Sequence, residues 1–88
     1  MAQRYRRSNQ ALHSEIAGDF VALHIDRGEC FGMANVTADV WRLLAEPNDL
    51  AGLCIALTKL YHVDDGQCRE EVSQLLTEMV DAGLVERL

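Results

Sequence analysis

The stretch Cys30-Phe31-Gly32-Met33-Ala34-Asn35-Val36-Thr37-Ala38-Asp39-Val40-Trp41-Arg42-Leu43-Leu44, CFGMANVTADVWRLL, changes its period part-way along. Residues 30–33 read as a short strand, with Phe31 and Met33 on one face and Cys30 and Gly32 on the other. From Val36 the spacing is helical: Val36, Val40, Leu43 and Leu44 fall at i, i+4, i+7 and i+8, with the single Trp41 among them. Asn35 and Thr37 are both suited to cap that helix. A strand that turns abruptly into an amphipathic helix fixes the order of the fold around it.

Working backwards, Leu12, Ser14 and Ile16 alternate with His13, Glu15 and Ala17, and after Gly18-Asp19 the residues Val21, Leu23 and Ile25 alternate with Phe20, Ala22 and His24. Asp26-Arg27-Gly28-Glu29 is a turn signal. The spacing predicts an antiparallel three-stranded meander over residues 11–34. Working forwards, the first helix covers residues 36–45 and ends before Pro47. Asp49 caps a second helix with the stripe Leu50, Leu53, Leu57, Leu60 and Tyr61, weakened by Gly52. Asp64 opens a third helix that runs to Ala82 and stops at Gly83, after which Leu84-Val85 packs back on the core. Three strands followed by three helices predict an α+β domain of the winged helix-turn-helix type.

Composition agrees with one small compact domain: of 88 residues, 49% are hydrophobic and 25% charged. No apolar run reaches the roughly 20 residues of a membrane span. The basic start MAQRYRRSNQ leads into no apolar segment, so no signal peptide is expected and the protein is expected in the cytoplasm. Residues 1–10 read as a flexible basic tail ahead of a single domain over 11–88. The net charge is −6, but Arg4, Arg6 and Arg7 hold three of the eight basic side chains, so residues 8–88 carry five basic and fourteen acidic side chains, a net of −9. Such a body repels a phosphate backbone. Cys30, Cys54 and Cys68 have neither CxxC nor zinc spacing and read as buried reduced thiols.

Nothing points to catalysis, a metal or a cofactor. His13, His24 and His62 have no catalytic or metal spacing, and no GxSxG, HExxH or GxxxxGK[ST] occurs. The pairs Asp64-Asp65, Glu70-Glu71 and Glu78-Asp81 read as caps and solvated faces. As a DNA-recognition helix the third helix is poorly equipped, with Asp65, Glu70, Glu71, Glu78 and Asp81 against Arg69 alone.

Two features exceed what a core needs. The third helix carries two overlapping apolar rows, Cys68-Val72-Leu75-Met79 and Val72-Leu76-Met79-Gly83, so that either both are buried or one lines an open groove suited to soft side chains. The strand at residues 30–33 ends the meander without the charge or proline that usually protects an edge, and Gly32 keeps side-chain bulk low there. An open edge beside an apolar groove is the geometry for adding a peptide as a strand. The arginine-rich tail covering that edge, or strand exchange between two copies, are the competing expectations.

In order, Phe31-Gly32-Met33, Val36, Val40-Trp41-Arg42-Leu43-Leu44, then Leu50, Leu53, Leu57, Tyr61-His62-Val63-Asp64, and finally Leu75-Leu76 and Gly83-Leu84-Val85 resemble the PqqD-like family, the recognition elements for precursors of ribosomally synthesised, post-translationally modified peptides. The family pattern approximates YFGLNxxGxxIWxLL. Ala34 stands where that pattern has Asn, and Thr37 where it often has Gly. The resemblance, over residues 12–86, implies non-enzymatic binding of a precursor leader peptide as a strand added along residues 30–33 and lying against the third helix. The implied contacts are Cys30, Phe31, Gly32 and Met33 from the strand, and Cys68, Val72, Leu75, Leu76 and Met79 from the helix. The wording FGMANVTADVWRLL is most similar to the free-standing lasso-peptide recognition proteins, which implies a leader peptidase and a cyclase as partners. The alternatives are a peptide chaperone of the PQQ-biosynthesis type serving a radical-SAM enzyme and, from another class, a winged-helix DNA-binding regulator.

Overall fold

The computed structural model describes residues 3–88. The elements are β1 (Arg4–Arg7), β2 (Ala11–Ile16), β3 (Asp19–His24), β4 (Glu29–Met33), α1 (Asn35–Leu43), β5 (Asn48–Asp49), α2 (Leu50–Tyr61), α3 (Asp65–Asp81) and β6 (Val85–Arg87). The predicted α+β order of a strand meander followed by three helices is borne out. Strands β2, β3 and β4 form one antiparallel sheet in that order, and a second antiparallel sheet has the order β5-β1-β6.

The second sheet corrects the expectation of a frayed basic tail. Met1 and Ala2 lie outside the described residues, but Arg4–Arg7 is an ordered strand paired with both β5 and β6. Its arginines are engaged: Arg6 Nε meets Glu86 at 2.9 Å, Arg4 donates to the Pro47 carbonyl at 3.0 Å, and Arg7 donates two hydrogen bonds to the Trp41 carbonyl at 3.0 and 2.6 Å. The Arg7 guanidinium also lies 4.8 Å from the centroid of the Trp41 ring, a cation–π contact. Residues 4–7 therefore belong to the fold along with residues 11–88. Because β1 is committed to β5 and β6, it does not cover β4.

The core gathers Phe20, Ala22 and Met33 from the meander, Val40, Trp41 and Leu44 from the first helical stretch, Leu53, Cys54 and Leu57 from α2, Val72, Leu76 and Met79 from α3, and Leu84 and Val85. Trp41 is wholly buried at its centre. The period-two pattern of the strands is real, but the aliphatic row Leu12, Ile16, Val21, Leu23 and Ile25 lies on the outer, exposed face. The smaller or aromatic alternates Phe20 and Ala22 face the helices. Two helix starts follow the capping expectations: Asp49 accepts from the Gly52 amide at 2.7 Å and Asp64 from the Gln67 amide at 3.1 Å. For α1 neither expected residue serves. Ala34 occupies the cap with no side-chain bond, and Asn35 sits at φ 55°, a region Asn tolerates better than most residues.

The end of α3 is set by Gly83 at φ +78°. The Leu84 amide reaches back to the Met79 carbonyl at 3.0 Å and the Gly83 amide to that of Val80 at 3.0 Å, a paired C-terminal cap. A Cβ on Gly83 would lie 2.6 Å from the buried His24 ring. Arg27, in the turn between β3 and β4, donates to the Asp81 carbonyl at 2.9 Å. These contacts hold the β3–β4 hairpin at a fixed distance from the end of α3. Gly83→Ala combines a left-handed backbone with a clash against a ring, and is expected to cost about 2 kcal/mol. The check is the urea midpoint followed by circular dichroism.

Candidate functional site

In the meander β4 is an edge strand, with β3 on one side only. The register shows which of its backbone groups are free. The Ile25 amide donates to the Gln10 carbonyl at 2.8 Å, so odd-numbered residues of β3 turn their polar groups toward β2. The even-numbered Phe20, Ala22 and His24 then face β4, where they oppose Met33, Phe31 and Glu29. The N–H and C=O groups of Cys30 and Gly32 consequently point to the open edge. A Cβ built on Gly32 would meet nothing within 4 Å, so no internal contact requires glycine there, and its absence of side chain leaves the edge accessible.

Beside this edge lies a groove of about 260 Å³ lined by Phe31, Gly32, Met33, Thr37, Leu75, Glu78, Met79, Ala82 and Leu84. Of the expected helix contacts it includes Leu75, which is half-buried, and Met79, which is 4% exposed and forms part of the floor. Leu76, 1% exposed, belongs to the core instead. Cys68 and Val72 line a smaller pocket of about 80 Å³ with Val36, Leu57, Tyr61, Val63 and Glu71. The first apolar row of α3 lines both pockets, Leu75 and Met79 at the groove beside the edge strand and Cys68 and Val72 at the smaller one, while Leu76 of the second row lies in the core. Because Met79 is so well buried, Met79→Asp would disturb folding as well as the groove, whereas Leu75 tests the groove alone. Thr37, Glu78, Ala82 and Leu84 are groove residues that the sequence reading passed over. Glu78 and Ala82 stand three and seven places after Leu75, the spacing of one helix face.

The cysteines separate by environment. Cys30 is exposed on the edge strand, contrary to its reading as a buried thiol, while Cys54 and Cys68 are buried. Burial, reinforced by a hydrogen bond with Cys68, pushes the Cys54 thiol up to about 11, so it is protonated at neutral pH. Among the described residues no three His, Cys, Asp or Glu side chains come together to hold a metal ion, and no helix is long and apolar enough to cross a membrane.

Residues 19–85, which include the edge strand, the groove and all three helices, match the family described as coenzyme PQQ synthesis protein D (PqqD). The chain belongs to the PqqD family. The resemblance read from the residues is thereby borne out. No curated protein sequence matches the chain. Two solved structures are similar over nearly their whole length. One, TbiB1 in complex with the TbiA(beta) leader peptide, superposes with a TM-score of 0.87 at 25% identity, over 92% of this chain and 94% of that one. The other, a lasso peptide synthetase B1 complexed with the leader peptide, gives a TM-score of 0.80 at 22% identity, over 93% of this chain and 96% of that one.

Proposed function

We propose that this PqqD-family domain is a non-catalytic recognition element that binds the leader of a ribosomally synthesised precursor peptide and presents it to modifying enzymes in the cytoplasm. The observation that carries the proposal is the unpaired β4 edge lying directly against an apolar groove on α3. The fold is shared with TbiB1, which was solved in complex with the TbiA(beta) leader peptide. The leader adds as a strand: Cys30 and Gly32 supply main-chain donors and acceptors, which tolerate many sequences, while Phe31, Met33, Leu75 and Met79 form the pocket that selects an apolar anchor. Cys68 and Val72 would floor a second, smaller pocket, and Leu76 supports the helix from below. Each well-buried aliphatic anchor contributes about 1.5–3 kcal/mol. A leader peptidase and a cyclase, the partners implied by the resemblance of residues 31–44 to the lasso-peptide recognition proteins, are the enzymes we propose it serves.

Fluorescence anisotropy tests this with two labelled probes, the leader of a small precursor encoded beside the gene and duplex DNA from its own promoter. Saturable leader binding, lost when the leader's apolar residues become Ala, is the expected result. DNA binding with a steep salt dependence, and none to the leader, would replace the proposal with a winged-helix regulator. Self-association that competes with the leader would mean that the edge serves strand exchange. Gly32→Pro removes one outward N–H without breaking the β3–β4 ladder. It is expected to weaken leader binding at least about 10-fold, the loss of one main-chain bond together with its register, with an unchanged melting curve. Loss of stability with binding retained would place that N–H inside the fold.

A further inference from the structure

We infer that the groove selects leaders carrying a Lys or Arg next to the apolar anchor, and that Glu78 is the residue that reads this cation. The inference rests on the leader-binding reading and adds the chemical class of leader to it.

Glu78 is the one ionisable side chain among the nine residues lining the groove. It is exposed at the rim, while Met33, Met79 and Leu84 beneath it are buried. Among the described residues the ion pairs are Arg6–Glu86, Arg42–Glu15, Arg42–Asp39 and Arg69–Asp65, so Glu78 is left without a cation. Arg27, which reaches the end of α3, donates to the Asp81 carbonyl. About two helix turns away on the same face, Glu71 stands at the smaller pocket, so each of these two pockets along α3 is lined by one carboxylate. The surroundings have the same sign, since residues 8–88 carry a net charge of −9. A carboxylate at the mouth of an apolar cleft works against low-dielectric walls, which concentrate its field on whatever lies in the cleft. A leader strand laid across the groove excludes water from that side. A cation one or two residues from the anchor would then be attracted, and an acidic residue there would be repelled.

The test displays random 16-residue peptides and selects them on the wild-type protein, Glu78→Gln, Glu78→Lys and Leu75→Asp, the two Glu78 variants first checked for an unchanged melting curve and Leu75→Asp for cooperative unfolding well above the selection temperature. On wild type, Lys and Arg are expected to be enriched about 5-fold over Asp and Glu at positions flanking the selected apolar anchor, the size of one partly screened charge pair set against its repulsive counterpart. Glu78→Gln removes the preference and Glu78→Lys reverses it. Apolar anchors selected with no charge preference, or a preference that survives Glu78→Lys, would overturn this inference and leave leader binding standing. If enrichment is indifferent to Leu75→Asp, the peptide does not dock on the 75 and 79 side of α3 and the inference fails while leader binding stands; if no peptide is enriched at all, the leader-binding proposal fails with it.

Discussion

Leu75→Asp is expected to weaken leader binding by about 100-fold while lowering the melting temperature by only a few degrees. Leu75 is half-buried and lines the groove against Phe31 and Met33 without belonging to the buried core. The substitution removes an apolar wall and sets a carboxylate where the leader's anchor would lie. Loss of the contact and desolvation of the charge together amount to about 3 kcal/mol. The cost to the fold is small, because the position keeps solvent access and Asp is only a moderately poor helix former. Anisotropy titration and a thermal melt on the same sample check both halves. Unchanged affinity would remove the 75 and 79 side of α3 from the binding site.

The largest effect on folding is expected from Trp41→Ala, about 3–5 kcal/mol. That is a large part of the 5–15 kcal/mol available to a domain, and this one is small. Trp41 is wholly buried, packs edge-on to His13 at 5.6 Å between ring centroids, and carries the Arg7 guanidinium over its face. Alanine would empty the centre of the core and leave Arg7 its carbonyl bond but no ring. Its indole Nε1 has no hydrogen-bond partner among the described residues. Trp41→Phe therefore abandons no bond and is expected to cost clearly less than Trp41→Ala, since the lost volume is partly offset by removing an unpaired buried N–H. Urea unfolding of the two variants measures the difference. Equal costs would mean that the indole edge contributes more than volume.

Much of this architecture was legible because local chemistry and tertiary structure agree. Asp49, Asp64 and Gly83 are placed where helix ends need them, and the period of two marks the meander. The edge strand was legible for a negative reason: residues 30–33 lack any protective charge or proline. What stayed hidden depends on contacts between residues far apart in sequence. Arg4–Arg7 has no apolar alternation, and it becomes a strand only because β6, near the other end of the chain, and the Trp41 carbonyl provide its partners. The two rows of α3 are equally apolar, so periodicity could not choose which one meets β4. That choice is made by the hairpin, fixed to the helix end through Arg27 and Gly83. Glu78 was read as part of a solvated face, which it is. Its place at the rim of a groove is visible only once the strand lies beside the helix. The strand alternation was also read without its direction, and the bulky aliphatic row lies outward because Phe20 and Ala22 fill the space beneath α1.

The pairing of β1 with β6 brings residues from opposite extremes of the chain together: the Leu88 amide bonds to the Arg4 carbonyl at 2.9 Å and the Gln3 side chain to the Leu88 carbonyl at 2.9 Å. Entry to and exit from the domain are therefore about one strand spacing apart, roughly 5 Å, on a sheet separate from the one that carries the open edge. A unit with that geometry can be spliced into a surface loop of a larger enzyme, or tethered by either end, without stretching its frame or obstructing the open edge of β4.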